Sequence, residues 1–89
     1  MKSFSWDPKK EDLLKETRGV SFLEVRDQIV KGRFKIIKNM SSAHLNQKAY
    51  LVMIHDYVHV VPFREDSNSI LLITIFPSRN WHKKLGGKL

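Results

Sequence analysis

The chain has 89 residues, of which 42% are hydrophobic and 28% are charged, a balance typical of one globular domain spanning residues 1–89. It contains no cysteine, which excludes disulfides, thiol nucleophiles and cysteine-based zinc sites. The first residues are mostly polar, and no apolar run approaches the roughly 20 residues that span a bilayer. We therefore expect no secretory signal, no membrane contact and a cytoplasmic location.

The positive charge is confined to the second part of the chain. Residues 1–30 carry six basic and six acidic side chains, whereas residues 31–89 carry ten basic and three acidic ones and so hold the whole net charge of +7. This asymmetry favours a polyanionic partner, usually nucleic acid. The alternative is a cationic surface that only aids solubility.

Two short helices are predicted in the first third of the chain. The first begins at Asp7-Pro8, an N-cap carboxylate followed by proline, and ends at Gly19. The second begins at Ser21, with Glu24 as the other half of a capping box, and ends at Gly32. We expect both helices to cover one face of a sheet, and their expected buried residues are Leu13, Leu14, Phe22, Val25 and Ile29.

Strand-like segments follow from residue 33 onward, and the tail is basic. The predicted strands are Phe34–Lys38, Lys48–Ile54, Tyr57–Phe63 and Ile70–Phe76, with polar loops at Asn39–Asn46 and Arg64–Ser69. His55-Asp56 is predicted to be a tight hairpin turn, which places Val52 opposite His59. The sequence therefore predicts an α+β fold with two helices on a small antiparallel sheet and a short basic C-terminal tail.

Alternation along the strands predicts two different sheet faces. One is uniformly apolar and is expected to meet the helices; it comprises Ala49, Leu51, Met53, Val58, Val60, Leu71, Ile73 and Ile75. The other mixes basic, aromatic and aliphatic side chains, and its polar and aromatic members are Lys48, Tyr50, Tyr57, His59, Phe63, Thr74 and Phe76. A basic, aromatic face can stack bases and hold phosphates.

Several motifs give the chain a resemblance to the BrnT toxins. They are Phe4-x-Trp6-Asp7, Arg18-Gly19-Val20-Ser21-Phe22-x-Glu24, Asn46-Gln47-Lys48, Tyr57-x-His59-Val60-Val61-Pro62-Phe63 and Ile73-x-Ile75-x-Pro77-Ser78-Arg79. They run from about Phe4 to Lys84 in the order and spacing of that family. The chain departs from the family pattern at His59, where the relatives commonly have tyrosine, and at Asn80-Trp81-His82-Lys83.

The resemblance implies a fold related to the RelE toxins and a ribonuclease that cleaves RNA without metal and inhibits translation. It also implies a type II toxin–antitoxin pair, in which a ribbon-helix-helix antitoxin of the BrnA type neutralises the toxin. In that family the complex reaches operator DNA only through the antitoxin.

Metal-free RNA cleavage requires proton transfer and stabilisation of the charged phosphate. His59 is the first candidate for proton transfer because an unperturbed imidazole titrates near neutral pH, and His82, in the altered C-terminal motif, is the second. Arg64 and Arg79 are candidate phosphate ligands because the guanidinium group can bind a phosphate through two hydrogen bonds. A packed strand histidine and solvated arginines at loop ends are the structural alternatives.

The remaining candidates are RNA-positioning residues. They are Lys48 and Tyr50 on the second predicted strand and Lys83 and Lys84 in the tail. A solvated lysine at a strand end, a packed tyrosine and a solvated tail are the alternatives.

No metal or other cofactor is expected. His55 and His59 are four residues apart, but on a hairpin this spacing does not place them together as it would on a helix. Two other functions stay open beside the ribonuclease: a non-catalytic basic module that binds nucleic acid, and a protein-interaction domain with an open sheet edge.

Overall fold

The computed structural model describes residues 2–38 and 48–89, and within them it has three helices and six strands. In chain order these are β1 (Ser3–Ser5), α1 (Pro8–Arg18), α2 (Phe22–Val30), β2 (Lys35–Lys38), β3 (Lys48–Ile54), β4 (Tyr57–Glu65), β5 (Ser69–Leu72), β6 (Phe76–Pro77) and α3 (Arg79–Lys84). The predicted loop Asn39–Asn46 and the motif residues Asn46 and Gln47 lie outside the described residues. None of the helices described is both long and apolar enough to cross a bilayer.

The α+β class is confirmed, but the sheet is mixed rather than antiparallel. The strand order is β1-β5-β4-β3-β2, with β6 also pairing with β4. All pairs are antiparallel except β1 with β5, which run parallel with Ser3 opposite Ser69. An ion pair of 2.7 Å between Lys2 and Glu65 joins the start of β1 to the end of β4.

The central hairpin formed by β3 and β4 has the predicted register. Ile54 is opposite Tyr57, and Val52 is opposite His59. Its turn consists of His55 and Asp56, both in the left-handed region with φ of 54° and 60°. Two consecutive positive φ values define the tight turn that matches the twist of paired strands.

Both N-terminal helices begin and end where predicted, but the capping box of α2 differs. The Asp7 side chain accepts the Lys9 N–H at 3.0 Å, and Gly19 ends α1 with a φ of 64°. Ser21 is the N-cap of α2 as predicted, and its hydroxyl accepts the Leu23 N–H at 3.1 Å. Glu24 does not complete the predicted capping box; the buried carboxylate of Glu11 instead accepts the Ser21 hydroxyl at 2.9 Å and the Phe22 N–H at 2.8 Å. Because Glu11 belongs to α1, these two hydrogen bonds connect α1 to the start of α2.

The predicted assignment of the two sheet faces is wrong. We call the surface that packs against α1 and α2 the major face; its members on the central hairpin are Tyr50, Val52, Ile54, Val61 and Phe63. His59 shares this face with its partner Val52, and Lys48 shares it with its partner Phe63. The helices therefore cover the mixed face, where Phe22 of α2 fills the core and stacks on Trp6 at 5.7 Å.

The C-terminal segment is a helix rather than a tail, and this explains the exchange of faces. The Ser78 hydroxyl caps α3 by accepting the Trp81 N–H at 3.3 Å. Trp81 and Leu85 pack on the minor face, which consists of Ala49, Leu51, Val58 and Val60. Because a third helix covers the uniformly apolar face, that face does not need α1 and α2. Leu13 and Leu71, both predicted to be buried, are 50% and 42% exposed.

The predicted strand Ile70–Phe76 is divided into β5 and β6 by an extra residue. Leu72 pairs with Phe63, and Phe76 pairs with Val60. Three residues separate Leu72 from Phe76, whereas only two separate Val60 from Phe63 on β4. The opposing segment of β4 contains Pro62, which lacks the N–H that a regular ladder would require. The extra residue lets both Leu72 and Ile75 enter the major-face core.

Candidate functional site

The turn of the central hairpin lies against the junction of α1 and α2. The Nε2 atom of His55 is 3.1 Å from the carbonyl oxygen of Gly19 and 3.8 Å from a carboxylate oxygen of Glu24. Gly19 follows the last residue of α1, and Glu24 lies in the first turn of α2. The end of β4 that carries Tyr57 and His59 is therefore surrounded by groups from both helices.

His59 is held with one ring nitrogen committed to the backbone. Its side chain is 7% exposed, and its Nδ1 atom is 2.9 Å from the Tyr57 carbonyl oxygen. A carbonyl oxygen can only accept a hydrogen bond, so Nδ1 carries the proton in the neutral ring and Nε2 keeps its lone pair. This is the tautomer that a general base at Nε2 requires.

Burial favours the neutral form of His59. Desolvation lowers the pKa of the imidazole below its ordinary value, and the hydrogen bond to the Tyr57 carbonyl opposes this shift. Of the charges nearby, His55 and Arg18 lower the pKa of His59 further, while Glu24 raises it.

His82 reaches Tyr57 from α3. Its ring stacks on Tyr57 with a centroid distance of 4.1 Å and an angle of 5°, while His59 meets the Tyr57 ring edge-on at 6.2 Å. The Nδ1 atom of His82 accepts the Val58 N–H at 3.2 Å. In the neutral ring the proton is therefore on Nε2, the opposite tautomer to that of His59.

Gly87 leaves space beside the Nε2 atom of His82. A Cβ at Gly87 would lie 3.3 Å from this nitrogen, and the φ of 72° at Gly87 is one that L residues rarely adopt. The turn after α3 thus depends on glycine for both its backbone conformation and its close approach to the ring.

Arg18 is a member of this site that the sequence did not single out as functional. Its Nη1 atom donates to the Ile75 carbonyl oxygen at 2.7 Å. Ile75 directly precedes β6, in which Pro77 pairs with His59. Arg18 does belong to one of the motifs quoted for the BrnT resemblance, but its position at a helix end suggested only a structural role.

The other exposed candidates fall into two groups, one at the far end of the central hairpin and one on α3. Lys48 and Arg64 are exposed at the opposite end of β3 and β4, and Arg64 is five residues from His59, about 16 Å along a strand. Arg79, Lys83 and Lys84 are exposed on α3, the helix that carries His82, with the Lys84 ammonium 5.0 Å above the Trp81 ring.

Tyr50 does not lie on an open surface. It is 4% exposed and stacks on Phe63 at 4.2 Å, with Phe34 edge-on at 5.4 Å. Burial, with a smaller contribution from Glu65, raises the pKa of its hydroxyl. The ring is therefore a packed tyrosine, which was the alternative to a contact with RNA, because α1 and α2 cover the face that carries it.

Among residues 2–38 and 48–89, no group of three or more histidine, aspartate or glutamate side chains is placed to hold a metal ion. The arrangement that does exist could support acid–base chemistry: two imidazoles of opposite tautomer lie beside one tyrosine. Comparison of the chain with protein-family models, with curated proteins and with solved structures finds no match. The resemblance to the BrnT toxins therefore rests on the sequence motifs alone.

Proposed function

We propose that this protein is a metal-independent endoribonuclease that acts in the cytoplasm as the toxin of a type II toxin–antitoxin pair, with a RelE-like fold. The observation that carries the catalytic part is the convergence of His59 and His82 on Tyr57 from separate elements of the fold. The motif resemblance supports the toxin part, the inhibition of translation and the ribbon-helix-helix antitoxin as partner.

In this mechanism His59 removes a proton from the 2′-hydroxyl of RNA through Nε2. The 2′-oxygen then attacks the neighbouring phosphorus, and the bond from phosphorus to the 5′-oxygen breaks. Water supplies the proton to the departing 5′-oxygen, and His59 returns its proton to solvent. The products are a 2′,3′-cyclic phosphate and a 5′-hydroxyl.

His82 acts as a hydrogen-bond donor in this reaction. Its Nδ1 atom is occupied by the Val58 N–H, so the neutral ring offers its Nε2–H to a phosphoryl oxygen. The exposed cations of α3, Arg79, Lys83 and Lys84, extend the positive surface beside it for the RNA backbone.

A cleavage assay in EDTA tests the proposal. His59→Asn and His82→Asn are the informative variants, because the asparagine side chain can replace Nδ1 in each structural hydrogen bond while Nε2 is removed. We expect His59→Asn to reduce the initial rate on a labelled RNA about a hundredfold or more, the scale of general base catalysis. His55→Asn is the matched control, since asparagine tolerates the positive φ of the turn.

Circular dichroism establishes that each variant is folded. Full cleavage by folded His59→Asn, or cleavage that stops in EDTA, contradicts the proposed mechanism. Co-expression tests the partner: growth arrest should be relieved by a ribbon-helix-helix protein encoded beside the toxin, and the two proteins should purify together.

The low exposure of His59 favours a second candidate function. A side chain that is 7% exposed offers little access to a 2′-hydroxyl, whereas the cations of α3 remain free to contact phosphates. In this case the protein binds nucleic acid, or a protein partner, without cleavage. Salt-dependent RNA binding by the wild type without cleavage products is the result expected of a nucleic-acid-binding module.

A further inference from the structure

Arg18 is held by the main chain of a neighbouring element. It ends α1, and Gly19 then turns the chain with a φ of 64°. The guanidinium donates one hydrogen bond, of 2.7 Å, to the Ile75 carbonyl oxygen. Neither of the ion pairs found within the described residues, Lys2 with Glu65 and His55 with Glu24, includes Arg18. This exposed guanidinium is therefore bound by a neutral carbonyl group and not by a carboxylate.

One of the segments around this guanidinium carries no negative charge. Glu24 is the acid that acts on His59, and it lies 3.8 Å from His55. Residues 69–89, which include β6 and α3, carry four lysines and arginines and no acidic side chain. The segment that Arg18 contacts through Ile75 therefore adds no negative charge that would repel an anion.

The bond to Ile75 also places Arg18 beside the segment that pairs with the strand of His59. The carbonyl that Arg18 contacts lies two residues before Pro77, and Pro77 pairs with His59. A guanidinium has five N–H groups in a planar fork, and a single carbonyl occupies one edge of it. The remaining N–H groups can donate to two oxygens of one phosphate, a geometry that an ammonium group does not offer.

We infer that Arg18 and the Nε2 edge of His59 form a subsite for one phosphate anion, the phosphodiester of RNA or a phosphate monoester. This inference rests on the proposed function, because a phosphate in this position is the one whose neighbouring 2′-hydroxyl His59 would deprotonate. It assigns to Arg18 the role that the sequence gave to Arg64 and Arg79.

The test measures binding without cleavage. Inorganic phosphate and the deoxy dinucleotide thymidylyl-thymidine, which has no 2′-hydroxyl, are titrated while NMR follows the imidazole resonances of His59. We expect saturable shifts in the wild type and a dissociation constant about tenfold weaker in Arg18→Gln, since one charge-assisted pair is lost. Arg26→Gln, which removes the same charge from an exposed position on α2, should leave the dissociation constant unchanged.

Arg18→Lys tests whether phosphate binding needs the planar guanidinium or only its positive charge. Lysine keeps the positive charge, so phosphate affinity should fall between those of the wild type and Arg18→Gln. Equal weakening by Arg18→Gln and Arg26→Gln, or no saturable shift of His59 in the wild type, overturns the subsite. If Arg18→Gln does not fold, the Arg18→Lys variant decides the outcome. Wild-type phosphate affinity in Arg18→Lys contradicts binding through the planar guanidinium, and weaker affinity supports it.

The outcome for the subsite is distinguishable from the outcome for the ribonuclease. Binding that depends on Arg18 in a protein that cleaves no RNA retains the subsite and removes the catalytic proposal. Cleavage in EDTA at the same rate by the wild type and Arg18→Gln retains the ribonuclease and removes the subsite.

Discussion

The two faces of the sheet are covered in unequal ways. Within the described residues, the core on the major face contains twelve buried side chains, whereas that on the minor face contains four. Two helices of eleven and nine residues cover the first, and one helix of six residues covers the second. We infer that the major face stabilises the fold and the minor face mainly holds α3 in place.

The candidate site depends on both faces. His59 belongs to the major face, while His82 is positioned by α3 and its contacts on the minor face. The two halves should therefore respond differently to substitution: damage to the major face unfolds the protein, and damage to the minor face displaces His82 from a sheet that is still folded.

Phe22→Ala should give the largest effect. Phe22 is fully buried on the major face, and its loss leaves a cavity against Trp6 and the sheet. We expect the free energy of unfolding to fall by about 3–5 kcal/mol in urea titrations. Leu23→Ala, next to it but 51% exposed, should change it by less than about 0.5 kcal/mol. Similar losses from the two variants would contradict the position of Phe22 in the core.

Glu11→Ala should follow in magnitude. The variant leaves the Ser21 hydroxyl and the Phe22 N–H without their charged acceptor at a buried helix start. We expect a loss of about 2–3 kcal/mol in the free energy of unfolding. Glu16→Ala is the control, since Glu16 is exposed on the same helix. A loss no greater than that of the control would show that the buried contact does not stabilise the pair of helices.

Trp81→Ala should have a smaller effect on stability and a local effect on structure. The ring packs on the minor face but remains partly exposed, so we expect a loss of about 1–2 kcal/mol. The NMR resonances of His82 should move toward those of a solvated histidine, while those of His59 stay in place. Unfolding as extensive as in Phe22→Ala would remove the distinction between the two faces.

The pH dependence contributed by His59 should be the smallest effect. Because burial lowers the pKa of His59 in the folded protein, the unfolded chain binds more protons near pH 6. The contribution of His59 to the free energy of unfolding is complete above its pKa in the unfolded chain, about 6.5. This contribution is lost as the pH falls from there toward the pKa of His59 in the folded protein. NMR titration should give a pKa for His59 below 6.5, and His59→Asn should flatten the stability profile in this range. A pKa above 6.5 would contradict the burial.

The sequence predicted the local structure well and the arrangement of its layers poorly. Asp7, Pro8 and Gly19 act through contacts within a few residues, as does the His55-Asp56 turn, so α1 and the central hairpin were predictable. The choice of face depends on which helix covers it, and alternation along a strand contains no information about that. Ser78 as an N-cap, with Trp81 and Leu85 one turn apart before Gly86, did signal α3.

The candidate site was predictable in part for the same reason. His59 and His82 could be proposed one by one from their chemistry, but their meeting at Tyr57 depends on how α3 folds back on β4. Arg18 acts through a carbonyl 57 residues away, and a contact of that separation leaves no local pattern. The bonds from Ser21 and Phe22 to Glu11 join two helices, whereas the capping-box pattern considers only one.

The parallel pairing of β1 with β5 sets the order in which the chain can fold. The central hairpin closes through a turn of two residues, an event on the scale of about 1–10 μs. Ser3 must instead find Ser69, across a loop of more than sixty residues whose closure costs far more conformational entropy. In pulse-labelled refolding, amide hydrogens of β3 and β4 should therefore gain protection from exchange before those of β1. The N-terminal strand joins a sheet whose centre has already formed.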